Sequence, residues 1–468
     1  MMRYFHQAMA YPLQQAKDDI HIKLKSILPP SIKDIKLEIP PDKKMGDFAY
    51  PCFHLAKVFK KSPQKIAEEL QSKLSPTKWI ETIKTHSGYI NFYLNSTQLI
   101  EATLKSVQKQ QKTYGHLPKK TSKVIIEHTS ANPNGPLHVG RARNPIIGDT
   151  LVRIFRAAGY DIEAQFYLDD MGKQVAILTW GITHLTEKQI PETTVDKPDH
   201  KLVGYYQQAN KLMEEDTNVQ QDINAIIQKS EHGDTATLTQ IHKAYQPVLE
   251  GMIASLNRIH IHIDSFIPES QFVHDKSVDT VLDGLKKSEH TSTEDGAYYL
   301  DMKDFGVHGR NTKFFFLRKD GTSLYATRDI AYHLWKGKQA NRLINILGED
   351  HKLEAQQVAT ALELLHAKVL PEVVFYAFVS MPGGKMSTRK GRVVYLDDLI
   401  EEIVARAYEE VKKRRGSELD ESSMQKIAER VGVGALRYKI IKVQPEKGLV
   451  FRGEEAVSFV GTAMAVIP

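Results

Sequence analysis

Cysteine and long apolar runs are what this sequence has least of. The single cysteine, Cys52, excludes a disulfide within the chain and a zinc site built from cysteine ligands. No apolar stretch reaches the roughly 20 residues that a membrane-spanning helix needs. The first residues lack the apolar region of a signal peptide and, unlike a transit peptide, include acids early. These absences predict a cytoplasmic protein without a membrane segment.

Charge of either sign is also not in large excess. The formal net charge is +6, with 41% hydrophobic and 26% charged residues, which is an ordinary globular composition. A modest basic excess fits an RNA partner but does not establish one, because many basic proteins bind no nucleic acid. A chain of 468 residues is too long for one hydrophobic core, so we expect about three domains.

Residues 1–118 predict a small α+β domain. The segment SPQKIAEELQSKL begins with a serine cap and a proline at the first helical position. The segment YINFYL alternates, which predicts a half-buried strand. Its inner face would carry Ile90, Phe92 and Leu94, and its outer face Asn91 and Tyr93. The polar segment QKQQKTYGHLPKKTSK is then interpreted as a linker.

The next region has the pattern of a parallel α/β sheet. The strand KVIIEH is followed by a helix from Val139 to Gly159 and by the strand DIEAQFYLDD, which together predict a βαβ unit. The predicted inner face of that helix is Val139, Ile146, Ile147, Leu151, Ile154 and Phe155. Residues from about 185 to 300 are polar and helical and indicate an insertion. TKFFFLRKDGTSLY predicts a hairpin, after which the α/β pattern resumes and two further helical segments follow.

Four polar segments follow predicted strands: EHTSANPNGPLHVGR, DDMGKQ, GEDHK and PGGKMSTRKG. Ligands of open α/β sheets bind beyond the carboxyl ends of the strands, so these segments should converge on one rim. The chain contains neither a dinucleotide-binding G-x-G-x-x-G nor a phosphate-binding G-x-x-x-x-G-K-[ST] motif. The sequence therefore predicts a different kind of nucleotide site.

The first polar segment predicts a phosphate site. A helix that begins near His138 would place free backbone N–H groups and its positive dipole end at the rim. Gly140 would let a ligand approach the backbone, and His138 can donate a hydrogen bond to phosphate. The segment KMSTRKG adds Lys385, Arg389 and Lys390, and such cations suit a leaving pyrophosphate. A solvated basic loop is the alternative interpretation of that second segment.

These segments resemble a known family. PLHVGRARN resembles the HIGH signature and KMSTR the KMSKS signature of class I aminoacyl-tRNA synthetases. More narrowly, EHTSANPNGPLHVG, DDMGKQ, DGTSLYATRDIAYHLWK and GEDHK resemble arginyl-tRNA synthetases of the archaeal type. GDFAYPCFHLAKVFKKSP with GYINFYL is similar to the N-terminal additional domain of that family, which contacts the tRNA elbow. The resemblance runs from about residue 40 to about residue 459.

The resemblance implies a fold and an activity. It implies an α/β protein with a Rossmann-like parallel sheet at residues 119–400, a helical insertion at about 185–300, a small N-terminal domain at 1–118 and a helical segment at 401–468. It implies an arginine–tRNA ligase that converts L-arginine and ATP into arginyl-adenylate and transfers the arginine to tRNA(Arg). Mg²⁺ would accompany ATP, no metal ligand is assigned to the protein, and a monomer is expected.

The resemblance also assigns site residues. A guanidinium carries five donors in a rigid fork, which carboxylates and a tyrosine meet best. The arginine-binding set is Glu127, Asn132, Gln174, Tyr325, Asp329 and Asp350, in which Tyr325 and Asp329 lie one helical turn apart. The ATP-binding set is His138, Gly140, Arg141, His351, Lys385 and Ser387, and the catalytic set is His138, Lys385, Arg389 and Lys390. Asn91 and Tyr93 are assigned to tRNA.

The chain departs from the family pattern at several positions. Arg141 replaces the second histidine of HIGH, and Thr388 replaces the second lysine of KMSKS. We therefore expect Lys390 or Arg389 to take the role of that lysine. Asp350 stands where many family members carry glutamine.

The end of the sequence leaves the function partly open. VSFVGTAMAVIP diverges from the family, and the expectation is a truncated anticodon-binding domain with poor charging of tRNA. Three hypotheses stay open: a working ligase, a non-catalytic remnant that binds tRNA or arginine, and a nucleotidyltransferase without tRNA. The N-terminal domain argues against the third, because an enzyme of small molecules has no use for a tRNA-elbow module.

Overall fold

The computed structural model describes residues 11–307, 312–380 and 394–451. These residues divide into two compact units: one contains residues 11–119 with Ala157–Gly159, and the other contains Lys120–Arg156 and the described residues from Tyr160 onward. Within the described ranges, no helix is both long enough and apolar enough to cross a membrane.

The first unit is an antiparallel sheet covered by helices. Its strands are β1 (Phe48–Pro51), β2 (Ile80–His86) and β3 (Tyr89–Leu94), in the order β1-β3-β2. Its helices are α1 (Pro12–Ile27), α2 (Ala56–Phe59), α3 (Pro63–Gln71) and α4 (Ser96–Gln110). The predicted cap of α3 is present, because the Ser62 hydroxyl accepts a hydrogen bond from the Lys65 N–H at 3.4 Å.

Strand β3 confirms one half of its predicted pattern and corrects the other. Ile90, Phe92 and Leu94 are buried in the core of this unit, as the alternation predicts. Asn91, expected on the open face, is only 4% exposed. The physical reason is that β3 is the central strand, so neighbours flank it on both sides, Ala49 of β1 and Lys84 of β2 being the partners of Asn91.

The second unit is built on a five-stranded parallel sheet. Its strands are β4 (Lys123–Glu127), β5 (Asp161–Leu168), β6 (Ser265–Pro268), β10 (Arg342–Gly348) and β11 (Pro371–Tyr376), in the order β11-β10-β4-β5-β6. Every neighbouring pair in it is parallel. Strands β4 and β5 with the intervening helix form the predicted βαβ unit, and the predicted α/β class is confirmed.

Helices and small sheets surround this sheet. The helices are α5 (Arg143–Ala157), α6 (Lys173–His184), α7 (Pro198–Glu215), α8 (Thr217–Glu231), α9 (Thr235–Arg258), α10 (Ser270–His274), α11 (Ser277–Lys286), α12 (Tyr325–Lys336), α13 (Lys352–Leu364), α14 (Leu396–Arg415) and α15 (Glu421–Ile441). The further strands are β7 (Thr291–Glu294), β8 (Ala297–Asp301), β9 (Lys313–Leu317), β12 (Val379–Ser380) and β13 (Leu449–Val450). β7, β8 and β9 form an antiparallel sheet, and β12 pairs with β13 in parallel.

Two predicted details are wrong, and a third holds only over a short stretch. Helix α5 begins at Arg143 rather than Val139, because a short 3-10 turn over Val139–Arg141 precedes it. Ile154, placed on the inner face of that helix, is 56% exposed. The expected hairpin across Asp320 and Gly321 is present but short: Leu317 and Ser323 form one bridge, and the Arg318 N–H donates to the Thr322 carbonyl at 2.9 Å. The main partner of β9 is β8.

Helices α14 and α15 share a core with the parallel sheet. Leu399 and Leu436 pack in the same apolar cluster as Ile146 and Phe166, and α14 crosses the predicted domain boundary at residue 400. The fully buried guanidinium of Arg143 adds a polar connection. It donates to the carbonyls of Ala377 (2.8 Å), Lys447 (2.7 Å), Val443 (3.2 Å) and Gln444 (2.9 Å).

Candidate active site

A cavity of about 770 Å³ opens where strands β4, β5 and β10 end. It lies at the carboxyl rim, where ligands of open α/β sheets bind. The residues of the predicted sets that line it are Glu127, Asn132, Arg141, Gln174, Tyr325, Asp329, Asp350 and His351. The structure thus brings together side chains that lie up to 224 positions apart in the sequence (351 minus 127).

Glu127, the last residue of β4, is buried but not unpaired. Its Oε2 accepts a hydrogen bond from Lys336 Nζ at 2.7 Å, and its Oε1 accepts one from Ser130 Oγ at 3.2 Å. No pattern in the sequence indicated this ammonium partner. Since a buried carboxylate is costly without a counter-charge, the ion pair explains how Glu127 can stand at the end of an apolar strand.

The first turns of α12 present Tyr325 and Asp329 to the cavity together. Burial alone would raise the pKa of Asp329, but the charges of His333, Lys336 and His351 outweigh it and lower the pKa below its ordinary value. Asp329 is therefore ionised at neutral pH. Tyr325 and Asp329 lie one helical turn apart and face the same cavity, as the sequence predicted.

His333 connects Asp329 to the sheet. Its Nδ1 donates to the Asp329 carbonyl oxygen at 2.8 Å and lies 3.2 Å from the carboxylate oxygen Oδ1. Its Nε2 lies 2.6 Å from Asn345 Nδ2, which donates to it because Asn345 Oδ1 accepts from Lys336. The ring of His333 thus links Asp329 on α12 to Asn345 on β10. No lysine or arginine of the described residues forms an ion pair with Asp329.

Strand β5 and the residue that follows it supply two cavity residues that the sequence reasoning missed. Asp169 is buried, burial raises its pKa, and its Oδ1 accepts from the Gly172 N–H at 2.9 Å. Tyr167 is stacked on Tyr332 at 4.5 Å, and its buried hydroxyl has no hydrogen-bond partner among the described residues. The polar segment DDMGKQ signalled Asp169, although only Gln174 was taken from it. Tyr167 carried no signal, because an aromatic residue in an apolar strand is ordinarily part of the core.

The predicted helical insertion forms part of the cavity wall. Helix α8 contributes Asn224, Ile227, Gln228 and Glu231, and the turn after β9 contributes Arg318, Asp320 and Thr322. Arg328, on α12, pairs with Glu231 at 3.5 Å and with the buried Glu269. Helix α7 contributes Tyr206, whose hydroxyl donates to Gln174 Oε1. The same oxygen accepts from Asn134 Nδ2 at 3.0 Å. The insertion therefore orients one predicted arginine ligand.

His138 and Gly140 lie next to Arg141 on the segment that precedes α5. The Val139 N–H donates to the Val394 carbonyl at 2.9 Å, and the Leu396 N–H donates to Leu137 at 2.6 Å, so one N–H expected to be free for phosphate is engaged. Burial and the charge of Arg141 lower the pKa of His138 to about 4, which leaves its ring neutral. A Cβ at Gly140 would lie 2.9 Å from His138 Cε1, so the ring itself requires glycine there.

The turn after β10 carries His351 and Asp350 on the same rim. His351 Nδ1 lies 2.9 Å from Glu354 Oε2, and this hydrogen bond raises the pKa of His351. Asp350 is exposed and lies 3.8 Å from His351 Nε2. The predicted Lys385, Ser387, Arg389 and Lys390 lie outside the described residues.

The proposed tRNA residues lie in the other unit. Asn91 offers little surface to a partner, since its side chain is buried. Tyr93 is half-buried; its hydroxyl donates to the Lys44 carbonyl at 2.9 Å, and Lys84 Nζ lies 5.2 Å from the centre of its ring. Of the two, Tyr93 is the better placed to contact a nucleic acid.

One cluster in the described residues has the composition of a metal site: Asp199, His200 and Asp397. Lys197 Nζ, however, lies 3.0 Å from Asp199 and 2.7 Å from Asp397. Its ammonium takes the place that a cation would occupy. The cluster is a buried ion pair that fastens α7 to the start of α14.

Comparison with known proteins decides the family. The family model described as "tRNA synthetases class I (R), catalytic domain" matches residues 102–451, and the model "Arginyl tRNA synthetase N terminal domain" matches residues 14–94. The chain belongs to the arginyl-tRNA synthetase family. The predicted family is confirmed, and the second match confirms an N-terminal domain of the same family.

Individual relatives agree with this family. The chain is 46% identical to the arginine–tRNA ligase of Methanocella arvoryzae over 87% of its own length and 71% of that protein. It is 41% identical to the arginine–tRNA ligase of Methanothermobacter thermautotrophicus, over 96% of its length and 78% of that protein. The arginyl-tRNA synthetase structure from Thermus thermophilus superimposes with a TM-score of 0.67 at 26% identity, covering 97% of this chain and 79% of that one.

Proposed function

We propose that this arginyl-tRNA synthetase activates L-arginine with ATP and transfers the arginyl group to tRNA(Arg). The observation that carries the proposal is the cavity at the sheet rim, where Tyr325 and the ionised Asp329 face the same space as Glu127 and Gln174. A flat cation with five donors is the ligand that such a set of acceptors fits best.

The reaction needs no nucleophile from the protein. The arginine carboxylate attacks the α-phosphorus of ATP and pyrophosphate leaves; a terminal ribose hydroxyl of tRNA then attacks the arginyl carbonyl and AMP leaves. Catalysis consists of holding these groups in line and stabilising the charge that develops. Mg²⁺ would be held mainly by phosphate oxygens and water. The acidic cluster of Asp199 and Asp397 is not needed for it, because the Lys197 ammonium already fills that cluster.

Each part of the rim has a proposed task. Asp329 and Tyr325 bind the guanidinium, and Asn132, Gln174 and Glu127 hold the rest of the amino acid and the pocket wall. His138, neutral at physiological pH, donates a hydrogen bond to phosphate, and Arg141 supplies the positive charge that a neutral histidine lacks. His351 contacts the nucleoside. Lys385 with Ser387 binds the triphosphate, and Lys390 or Arg389 supplies the charge that Thr388 cannot.

Pyrophosphate exchange tests the proposal. Radiolabelled pyrophosphate should enter ATP when the protein is given L-arginine, ATP and tRNA(Arg), and replacing arginine by lysine should abolish the signal. A requirement for tRNA supports the synthetase, because the arginyl enzymes resemble the few class I members that need tRNA for activation. Exchange that proceeds equally without tRNA would favour a nucleotidyltransferase. The non-catalytic alternative is not favoured by the relatives, and absence of exchange in both conditions would revive it.

The basic residues after Lys385 have their own test. The double substitution Arg389→Ala, Lys390→Ala should slow adenylation while leaving the equilibrium affinity for arginine unchanged, since arginine itself does not meet the triphosphate. Equal adenylation rates for the double variant and the unsubstituted protein would contradict the assignment.

A further inference from the structure

Three polar residues stand side by side on the sheet beneath the cavity. Glu127 on β4 is paired in register with Gln165 on β5 and with Asn345 on β10. All three are buried. An apolar residue would be ordinary at such a position, so the row needs partners for each of its polar groups.

Helix α12 supplies those partners from one face. The Tyr332 hydroxyl donates to Gln165 Oε1 at 2.9 Å, and Lys336 Nζ donates to Asn345 Oδ1 at 3.1 Å and to Glu127 Oε2 at 2.7 Å. Lys336 has no exposed surface, and its ammonium lies 4.0 Å from the centre of the Tyr332 ring. As the last residue of α12, it also meets the negative end of the helix dipole. Glu127 is its one carboxylate partner in the described part of the chain.

The two oxygens of Glu127 therefore have different surroundings. Oε2 faces the fully buried ammonium, whereas Oε1 lies beside Ser130, a residue that lines the cavity. A carboxylate that is buried without a counter-charge takes up a proton, and its O–H group then becomes a donor. A guanidinium has no acceptor, so a protonated Glu127 would oppose it rather than bind it.

We propose that Lys336 is a positioning residue of the arginine site, which keeps Glu127 ionised and turns its Oε1 toward the substrate. This inference rests on the proposed function. It also divides the tasks of the two acids. Lys336 cancels the charge of Glu127, so Glu127 provides an oriented hydrogen-bond acceptor. Asp329 provides the net negative charge that attracts the guanidinium.

The test is the pH dependence of arginine binding in a Lys336→Met variant, measured by calorimetry. At about pH 6.5 the variant should bind L-arginine at least about tenfold more weakly than the unsubstituted protein. Burial raises the pKa of a carboxyl group without a counter-charge, so affinity should recover as the pH rises to about 9 and Glu127 loses its proton. At each of the two pH values, the variant and the unsubstituted protein should bind ATP with the same affinity. Lys338→Met, which removes an exposed lysine two positions on, is the matched control.

A loss of the same size at every pH would assign Lys336 a purely structural role and overturn the proposal, as would unchanged affinity at about pH 6.5. If Lys336→Met alone does not fold, the comparison moves to Glu127→Gln with and without Lys336→Met. Lys336 acts through Glu127 in this proposal, so removing Lys336 from the Glu127→Gln background should not weaken arginine binding; a double variant weaker than Glu127→Gln by about tenfold would refute it. Pyrophosphate exchange by the unsubstituted protein reports on the proposed function separately, whatever these variants do.

Discussion

Asp329→Asn isolates the charge of the arginine site with little effect on the fold. The substitution keeps the size of the side chain and removes one negative charge. His333 would retain its hydrogen bonds to the Asp329 carbonyl at 2.8 Å and to Asn345 at 2.6 Å, so α12 should stay fixed to the sheet. We expect the melting temperature to change little.

The magnitude follows from what surrounds Asp329. Glu127 is already paired with Lys336, whereas no lysine or arginine of the described residues is paired with Asp329, so Asp329 carries the charge that a guanidinium would meet. Removing one partner of a desolvated, hydrogen-bonded charge pair costs about 2–5 kcal/mol. Because the Asp329 side chain is still 20% exposed, the lower part of that range applies. Arginine should bind about 30- to 200-fold more weakly, at 1.4 kcal/mol for each tenfold change.

Calorimetry with L-arginine and L-citrulline measures this effect directly. Citrulline replaces the guanidinium by a neutral ureido group of the same shape, so the unsubstituted protein should prefer arginine and Asp329→Asn should lose most of that preference. Glu354→Gln is the matched control, because Glu354 lines the same cavity and is paired with His351. It should leave arginine affinity within about threefold. An Asp329→Asn variant that loses arginine and citrulline equally would show that the charge does not face the guanidinium.

Three further outcomes follow from buried groups. Burial raises the pKa of Tyr167, so its hydroxyl stays a donor, and Tyr167→Phe should weaken arginine or ATP binding by about tenfold without lowering the melting temperature; unchanged calorimetric affinities would contradict this. Arg143→Lys should lower the free energy of unfolding in urea by about 3–5 kcal/mol, against less than about 1 kcal/mol for the exposed Arg153→Lys on the same helix. Burial lowers the pKa of His128 to about 4, so the folded state binds fewer protons and stability falls as the pH drops below about 6.5. That loss is about 2 kcal/mol by pH 5, and a His128→Phe variant that keeps the same pH slope would refute the assignment to His128.

The sequence predicted those parts of the fold that depend on residues close together along the chain. The cap of α3 and the turn-spaced pair of Tyr325 and Asp329 each lie within a few consecutive residues, and each element of the βαβ unit has its own local pattern. Strand β6 was missed because its four residues are too few to show alternation, and the polar helices around it indicated an insertion. The start of α5 was misplaced because residues 137–139 pair with residues 394–396, a contact that no local window contains.

The candidate site also depends on a contact between residues that are far apart in the sequence. The resemblance assigned Glu127 to arginine binding, but the sequence showed no partner for a carboxylate at the end of an apolar strand. The structure supplies that partner, because Lys336, 209 positions away, takes one oxygen and leaves the other beside the cavity. In the proposed arginine site, a single carboxylate thus serves folding with Oε2 and substrate binding with Oε1. Substitution of Glu127 should consequently reduce stability and arginine affinity together, whereas Asp329→Asn, whose partner His333 is also held by the backbone, should reduce affinity alone.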